Sequence, residues 1–469
     1  MKSAVPKVMH AVAGRPLLGH VLRAVRATGP EAVVVVVGNG RERVQPFVET
    51  AEPGSLIAVQ EAQLGTGHAA QIGLASLPQR SGTVVVTPGD APLLGAETIR
   101  SLVSQHHESE HAVTLLTAEL SDPSGYGRIV RDDSGAVREI VEERDASPAQ
   151  REIKESNSSV YAFDVEFLAA ALAELGRDNA QGELYLTDVV KIARGHGRSV
   201  GSFRVADVWQ TAGVNDRSQL AALGAEINRR TLHRHMLAGV TIVDPGTTWV
   251  DDTVTFEPDS TLLPGVQLHG TTSVAGGAVV GPDTTLTDVS VGPRATVRRT
   301  HGSDSVIGAD TSVGPFAYLR PGTRLGAQGK IGTFVEIKNS LIADGAKVPH
   351  LSYIGDASIG EQTNIGAGTI TANFDGVHKH RTSIGRNCAT GSDNTFVAPV
   401  EVGDGAATGA GAVVRRNVPP GALAVSTGAQ RHIEDWVLRK RPGTAAAAAA
   451  ERAQAAVGEP PAQTEGTAQ

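Results

Sequence analysis

Aliphatic residues recur at a spacing of six between residues 262 and 414 of this chain. This spacing matches neither the period of an α-helix nor the alternation of a simple strand. It is typical of a parallel β-helix, in which each hexad is one short strand and a turn and its aliphatic side chain points into the prism. Gly, Asn, Asp and Pro, which turns favour, cluster between these positions. The pattern therefore predicts a solenoid of stacked coils with grooves along its sides.

The first 215 residues follow a different pattern, in which short apolar runs alternate with amphipathic stretches. The apolar runs, which we interpret as buried strands, lie at 32–37, 83–87 and 113–118. The amphipathic stretches, which predict helices, lie at 17–27, 69–77 and 96–106. This alternation predicts an α/β domain with a mostly parallel, doubly wound sheet. Ligands of such sheets bind at the carboxyl ends of the strands.

One further helix is predicted between these two parts, with Asp216 or Asn215 as its N-cap and Gly239 as its stop. After residue 441 the chain is rich in Ala, Glu, Gln and Pro, a composition that predicts disorder. The predicted division is an α/β domain at 1–215, a linker helix at 216–238, a β-helix domain at 239–441 and a disordered tail at 442–469.

The composition narrows the class of protein. Hydrophobic residues make up 40% of the chain and aromatic residues 4%, so the cores are aliphatic, as a narrow β-helix requires. The net charge of −8 argues against a nucleic-acid or membrane-surface role. A single cysteine, Cys388, rules out an internal disulfide, and no secretory signal or long apolar run is present. We therefore expect a soluble cytoplasmic protein that binds neither nucleic acid nor membrane.

Short motifs occur in a specific order along the chain. They are Pro6-Lys7, Gln60 with Leu64-Gly65-Thr66-Gly67, Pro88-Gly89-Asp90, Gly125-Tyr126-Gly127-Arg128-Ile129, Ile140-Val141-Glu142, Asn157 and Gly213-Val214-Asn215. A hexapeptide β-helix follows them. The combination resembles the bifunctional N-acetylglucosamine-1-phosphate uridylyltransferase/glucosamine-1-phosphate N-acetyltransferases, up to about residue 441. The resemblance implies that the β-helix is left-handed.

The resemblance implies that the first domain transfers UMP from UTP to N-acetylglucosamine 1-phosphate and releases pyrophosphate. Both reacting groups are anionic, so Mg²⁺ and a lysine would bring them together. Asp90 and Asn215 match the magnesium ligands, and a few protein oxygens suit this ion. The residues that match positions binding UTP or UDP-N-acetylglucosamine are Lys7, Gln60, Gly65, Thr66, Gly127, Glu142, Asn157 and Asn215.

The resemblance also implies that the β-helix acetylates glucosamine 1-phosphate with acetyl-CoA, and that three chains associate through it as a homotrimer. The amine must lose a proton before it attacks the thioester, and a histidine is the natural base. His350 matches the catalytic histidine. The matched sugar-phosphate positions are Arg320, Lys338, Tyr353 and Asn364. The matched acetyl-CoA positions are Ala367, Asn373, Phe374, Ser392 and Ala410. The joint product would be UDP-N-acetylglucosamine, a precursor of the bacterial cell wall.

The chain departs from the family pattern at three places. The family begins with a strand and a Gly-rich phosphate loop, and Met1 aligns with the residue that closes this motif, so we expect an incomplete first domain and weak uridylyl transfer. Phe374 stands where many members have Tyr, which removes a hydroxyl. Thr427 stands where members often have Arg, and Arg431 lies close by in the sequence.

Taken singly, the proposed site residues have simpler interpretations. Asp90 after Pro-Gly is typical of a turn, Lys7 of a solvated charge, Asn215 of a helix N-cap and His350 of an exposed corner. The ordered set favours the functional interpretation.

Three rival functions fit parts of the pattern. They are a monofunctional acetyltransferase with an inert first domain, a nucleotidyltransferase for another sugar with a regulatory β-helix, and a structural or ice-binding β-helix. The His350 and Asn373 regions argue against the second, and an irregular charged surface without rows of threonine argues against the third.

Overall fold

The structure is a computed structural model that describes residues 1–79, 81–426, 428 and 430–457. Thr427 and residues 458–469 of the predicted tail lie outside the described residues. The helices of the first domain are α1 (Leu17–Arg26), α2 (Arg41–Ala51), α3 (Thr66–Ala75), α4 (Ala96–Glu108), α5 (Pro148–Arg151), α6 (Val165–Ala173) and α7 (Asp188–Gly195), with 3-10 turns at Lys7–Met9 and Val208–Thr211. Its strands are β1 (Ala11–Val12), β2 (Arg15–Pro16), β3 (Val34–Val37), β4 (Leu56–Val59), β5 (Thr83–Val86), β6 (Val113–Glu119), β7 (Arg128–Arg131), β8 (Val137–Val141), β9 (Glu155–Asp164) and β10 (Val200–Arg204).

Strand β9 lies at the centre of the main sheet, and its alternate residues face opposite sides. Tyr161 and Phe163 pack in a core with α6 and α7, while Val160 and Ala162 pack in a second core with α4. Because helices cover both faces, the predicted α/β doubly wound class is confirmed.

The pairing of the strands differs from the mostly parallel sheet that the sequence predicted. The main sheet is mixed, with the order β10-β6-β9-β7-β8, and β5 also pairs with β9. β10 is parallel to β6, but β9 runs antiparallel to both β5 and β6. β3 and β4 pair in parallel with each other as a separate sheet, and among the described residues no pairing joins β3 to β5.

A long helix, α8 (Arg217–Leu237), joins the two parts of the chain. The side chain of Asp216 accepts a hydrogen bond from the backbone N–H of Gln219 at 2.8 Å, so Asp216 and not Asn215 is the N-cap. The buried face of α8 carries Leu223 and Ile227, which pack against the first domain on Val12, Leu17 and Val214.

The remainder of the chain to residue 424 forms a parallel β-helix. Each short strand pairs with the strand three hexads later, as in Trp249↔Gln267 and Gln267↔Thr285. One face consists of Thr241–Ile242, Thr261–Leu262, Val279–Val280, Thr296–Val297, Ser312–Val313, Lys330–Thr333 and Lys347–His350, and then Ala407–Thr408 and Leu423–Ala424. The other two faces consist of Trp249–Val250, Thr255–Phe256, Gln267–His269, Ser273–Val274, Thr285–Val291, His301–Ile307, Tyr318–Leu319, Thr323–Leu325, Glu336–Lys338, Leu341–Ile342, Tyr353–Gly355, Ala357–Ile359, Ile370–Ala372, Thr382–Ile384, Thr395–Val397, Val400–Val402 and Val413–Val414.

The aliphatic residues at hexad spacing form one continuous core inside this prism. Every one of those positions that the sequence pattern identified is buried, from Leu262 at one end to Val414 at the other. Three hexads complete one coil, and stacking neighbouring coils buries the single aliphatic side chain that each hexad contributes. The hexad pattern therefore predicted both the fold and its core.

A short helix, α9 (Trp436–Lys440), follows the solenoid before the predicted disordered tail begins at residue 442. Within the predicted tail, a further helix, α10, is formed by Ala445–Val457. Alanine has the highest helix propensity, so an alanine-rich segment can form a helix without a large apolar face. The guanidinium of Arg441 lies 4.9 Å from the ring centroid of Trp436. Among the described residues, no helix is long and apolar enough to cross a membrane.

Candidate active sites of the two domains

A cavity of about 200 Å³ lies in the first domain, where the segments after β5 and β8 meet the residues just before α8. The predicted site residues that line this cavity are Lys7, Asp90, Gly127, Glu142, Asn157 and Asn215. These residues are far apart in the sequence, and the α/β topology brings them together at one end of the sheet, where a ligand of this fold class is expected.

Asp90 lies in the floor of the cavity and is largely buried. Its Oδ2 lies 2.7 Å from Nζ of Lys7 and accepts a hydrogen bond from the backbone N–H of Val214 at 3.3 Å. Asn215, the next residue, lines the same cavity. The predicted lysine and both predicted magnesium ligands are therefore neighbours.

One wall of the cavity is formed by Gly127, Glu142 and Asn157. A Cβ atom at Gly127 would lie 3.0 Å from Cγ2 of Ile140 and 3.4 Å from Oε2 of Glu142, so a larger residue would crowd this wall. The backbone N–H of Asn157 donates to the carbonyl of Gly127 at 2.8 Å. Burial raises the pKa of Glu142, which accepts a hydrogen bond from the Thr187 hydroxyl at 3.2 Å. This wall offers polar groups to a hydroxylated ligand.

The other three predicted nucleotide-binding residues lie together but do not line this cavity. The side-chain amide of Gln60 donates to the carbonyl of Gly65 at 3.2 Å. The hydroxyl of Thr66 accepts from the backbone N–H of Leu186 at 3.0 Å, and the next residue, Thr187, contacts Glu142. The group of Gln60, Gly65 and Thr66 is thus linked to the cavity wall at Glu142 through the segment that precedes α7.

Sequence reasoning missed residues that also shape this cavity. Tyr126 and Thr211 line it, and burial raises the pKa of the Tyr126 phenol. Arg128 is fully buried, donates to the carbonyl of Tyr126 and forms an ion pair with Glu143 at 2.7 Å. It therefore fixes the segment that contains Gly127. The arginine of the Gly-Tyr-Gly-Arg motif could have indicated this role in the sequence, because an arginine that becomes buried must be paired.

The donor atoms of this cavity suit Mg²⁺. Asp90 supplies a carboxylate and Asn215 a carboxamide oxygen, and both line the same space. Mg²⁺ prefers oxygen ligands and keeps water or substrate phosphate at its other positions. Among the described residues, no group of three or more His, Cys, Asp or Glu side chains could form a metal site made of protein ligands alone. A magnesium ion here would therefore depend on its phosphate substrates.

The second candidate site lies on the solenoid, where one corner repeats in three successive coils. Arg320, Lys338 and Asp356 lie at this corner, which we call the phosphate corner, because successive members of the set are three hexads apart. The guanidinium of Arg320 is 2.9 Å from the carboxylate of Glu336, and Nζ of Lys338 is 3.4 Å from Oδ2 of Asp356. Tyr353 pairs with Glu336 on the adjacent strand. The coil geometry thus gathers the predicted sugar-phosphate residues except Asn364.

The inserted loop, residues 372–381, interrupts the hexads and folds over this corner. Asn373 donates from Nδ2 to Asp356 at 2.5 Å and to the Tyr353 hydroxyl at 3.4 Å. The charge of Asp356 raises the pKa of Lys338, while the positive charge of Lys338 lowers the pKa of the neighbouring Lys379. Sequence reasoning missed Asp356 and Lys379. The spacing of three hexads from Lys338 would have identified Asp356.

His350 lies at the end of its strand, at a different corner, and is exposed. Its carbonyl accepts a hydrogen bond from the backbone N–H of Gly368, next to Ala367. The carbonyl of Ala367 accepts from Asp393, next to Ser392, and that of Ser392 accepts from Gly411, next to Ala410. The predicted base and three predicted acetyl-CoA residues therefore follow one line along the prism, which is a shape suited to an extended cofactor.

The remaining two predicted residues are both exposed. Asn364 is exposed on the face that carries His350, where it bridges Lys347 and Ala389. Phe374 is exposed in the inserted loop, where it forms an antiparallel bridge with Lys379.

Comparison with known proteins identifies the family. A model of the MobA-like NTP transferase domain matches residues 1–155. The chain is 57% identical over 454 residues to a bifunctional protein GlmU of Kineococcus radiotolerans, with 97% of this chain and 92% of the relative covered. It is 58% and 55% identical over 458 residues to proteins of that name from Mycobacterium sp. (strain KMS) and Mycobacterium tuberculosis, with the same coverage. The chain belongs to the family of bifunctional GlmU proteins, and the resemblance inferred from its ordered motifs is confirmed.

Proposed function

We propose that this member of the GlmU family makes UDP-N-acetylglucosamine in two steps, one at each of the two sites. It acetylates glucosamine 1-phosphate with acetyl-CoA and then transfers UMP from UTP to the product, with release of pyrophosphate. We assign the first reaction to residues 239–441 and the second to residues 1–215. The proposal rests on the observation that one chain brings together both sets of residues matched to the family, one around the Asp90 cavity and the other around the phosphate corner.

In uridylyl transfer, a phosphate oxygen of N-acetylglucosamine 1-phosphate attacks the α-phosphorus of UTP, and the bond to the β-phosphate breaks. Lys7 would hold one of these phosphates, since its ammonium group points into the cavity beside Asp90. Gly127, Glu142 and Asn157, which line the same cavity, would hold the acetylated sugar. Gln60, Gly65 and Thr66 would contact the uracil from the adjacent group. Positioning and charge neutralisation supply most of the catalysis in phosphate transfer.

Asp90 and Asn215 would bind Mg²⁺ in this domain. The ion would neutralise charge on the reacting phosphates and align them for in-line attack. Asp90 also orders the cavity by itself, because it accepts from the backbone at Val214 and pairs with Lys7. Asp90 would therefore hold both Lys7 and the magnesium ion close to the phosphates.

In acetyl transfer, His350 would take a proton from the ammonium group of glucosamine 1-phosphate. The free amine then attacks the thioester carbonyl, the C–S bond breaks, and the CoA thiolate leaves and takes up a proton. Arg320, Lys338, Tyr353 and Asn364 would hold the sugar phosphate, because an arginine fork and a lysine point charge both suit a phosphate. Ala367, Asn373, Phe374, Ser392 and Ala410 would contact acetyl-CoA.

A homotrimer would account for an exposed apolar surface beside His350. The apolar corner ladder, which consists of Phe316, Phe334 and Leu351, lies on successive coils and is 51%, 59% and 63% exposed. The rings of Phe316 and Phe334 stack with centroids 5.5 Å apart. All three residues have positive φ, an unfavourable conformation for bulky residues. Exposed apolar rows of this kind mark interfaces, and a second chain on the ladder would also cover His350.

Replacing Phe334 by aspartate should shift the protein from trimer towards monomer, because a charge would be buried in the interface. Sedimentation equilibrium measures the mass, and acetyl transfer should fall with it while uridylyl transfer persists. Val306→Asp is the control, since Val306 is a partly exposed apolar residue on another face of the same prism. An unchanged mass for Phe334→Asp would exclude the ladder as the trimer interface.

Replacing Phe374 by alanine should raise the apparent KM for acetyl-CoA severalfold, because an exposed ring that reaches the neighbouring site would no longer pack on the cofactor. Phe374→Tyr keeps the ring and should be tolerated. Thiol release from acetyl-CoA measures both values. If the alanine variant has an unchanged KM, the inserted loop does not contact the cofactor.

We place both reactions in the cytoplasm. Cys388 is a free, buried cysteine in the solenoid core. A chain whose only cysteine is unpaired suits a reducing compartment. The two reactions together are tested by incubating the purified full chain with glucosamine 1-phosphate, acetyl-CoA and UTP. We expect release of both CoA thiol and pyrophosphate, with pyrophosphate release the slower of the two; thiol release alone would limit the chain to acetyl transfer.

A further inference from the structure

A second cavity, of about 270 Å³, lies at the junction of the first domain, helix α8 and the first coil of the solenoid. It is separate from both proposed active sites. Its lining includes His20 and Arg23 of α1, Arg230 and Arg234 of α8, and Asp252 of the solenoid. The cavity therefore lies where all three parts of the chain meet.

Asp252 is the acidic centre of this junction, and its side chain is only 5% exposed. It forms an ion pair with Arg23, a second with Arg234 at 3.4 Å, and lies 3.8 Å from Arg15. Although burial opposes ionisation, the charges of Arg23 and Arg234 lower the pKa of Asp252. One carboxylate thus faces three guanidinium groups.

The neighbouring acids do not balance the excess positive charge. Arg230 uses its guanidinium to bind Asp207 at 2.7 Å and Glu226 at 2.6 Å, and Arg229 binds the same Glu226 at 2.7 Å. These pairs lower the pKa of Glu226 to about 2, so it is ionised at neutral pH. The residues that line the cavity itself include three arginines, Arg23, Arg230 and Arg234, and one acid, Asp252, which leaves two positive charges in the lining.

One further group is available to a ligand here. His20 is buried, and burial lowers its pKa, so its ring is neutral near pH 7. Nε2 of His20 lies 3.0 Å from the carbonyl of Val12 and must donate to it, which leaves Nδ1 as an acceptor for a protonated oxygen.

We infer that this junction cavity, lined by Arg23, Arg234 and Asp252, binds a phosphate-bearing anion. Arginine forks match phosphate oxygens in pairs, and a divalent anion would neutralise the two excess charges. The cavity has room for an inorganic phosphate, a pyrophosphate or the phosphate group of a sugar phosphate. Such an anion would contact the first domain and the linker helix at once and so stabilise their packing on the solenoid.

Isothermal titration calorimetry on the full-length protein tests this inference, with inorganic phosphate, pyrophosphate and glucosamine 1-phosphate titrated separately at constant ionic strength. Arg234→Gln should weaken the binding assigned to this cavity at least about tenfold, the effect of losing one charge-assisted hydrogen bond. Arg229→Gln is the matched control, because it removes the same charge from the same helix but does not line the cavity. The anion whose affinity falls most in Arg234→Gln is the one that supplies the phosphate group bound in this cavity.

Asp252→Asn provides an opposite test that does not depend on loss of binding. Removing this carboxylate should destabilise the junction, and it should also tighten phosphate binding, because three arginines would lose their shared anion. Phosphate should then raise the melting temperature of Asp252→Asn more than that of the unaltered protein. Equal phosphate binding in the unaltered protein, Arg234→Gln and Asp252→Asn would overturn the inference. So would stabilisation by chloride equal to that by phosphate at the same ionic strength.

Discussion

Replacing His350 by alanine should reduce the turnover of acetyl transfer by at least about a hundredfold, the lower range for losing a general base. The ammonium group of the acceptor cannot attack a thioester, and alanine offers no group that would take its proton. His350 is exposed at a corner from which Ala367, Ser392 and Ala410 follow in successive coils, so an acetyl group held there would lie within its reach. Thiol release from acetyl-CoA measures the rate.

His301→Ala is the matched control for this variant. His301 is another exposed histidine on a solenoid strand, but it lies on a coil without the predicted cofactor residues. It should retain normal acetyl transfer. Pyrophosphate release should be normal in both variants, because the first domain has its own core. If His350→Ala turns over at a near-normal rate, His350 is not the base.

Replacing Asp90 by asparagine should reduce uridylyl transfer by about two to three orders of magnitude, the loss typical of removing one electrostatic contact to a reacting group. Asparagine keeps the shape and can still accept from the backbone of Val214, so the fold should survive. It removes the negative charge that pairs with Lys7 and would bind Mg²⁺. Pyrophosphate release should fall, and the magnesium concentration at half-maximal rate should rise.

Asp133→Asn is the control for Asp90, because it makes the same substitution at an exposed turn between β7 and β8. It should leave both reactions unchanged, and Asp90→Asn should leave acetyl transfer unchanged. Normal pyrophosphate release from Asp90→Asn, with an unaltered magnesium requirement, would exclude Asp90 as a ligand of the metal.

The ordered motifs predicted many of the residues that line the Asp90 cavity, but not which of the predicted nucleotide-binding residues lie outside it. Lys7, Asp90 and Asn215 converge as expected, whereas Gln60, Gly65 and Thr66 form a separate group. Which of these residues share one cavity depends on contacts between segments that are distant along the chain, such as the pairing of β9 with β5. A local pattern of apolar and polar residues carries no information about that pairing, and for the same reason the antiparallel direction of β9 was not predicted.

At the phosphate corner, by contrast, spacing along the sequence is enough to place most of the residues together. Arg320 and Lys338 lie on adjacent coils because their spacing is three hexads, and the same count leads to Asp356. Lys379 could not be found in this way, because the inserted loop interrupts the count. Similarly, composition predicted a disordered tail, whereas the intrinsic helix propensity of alanine gives α10 at Ala445–Val457.

The sequence by itself determined the solenoid, its core and the family, because a hexad repeat stacks each coil on its neighbour and makes long-range contacts periodic. Only the tertiary structure decided which residues share the Asp90 cavity, that the apolar corner ladder lies beside His350, and that five arginines meet three acids at the junction of the two domains. These arrangements join segments without a common period, so their geometry is fixed only when the separate elements pack together.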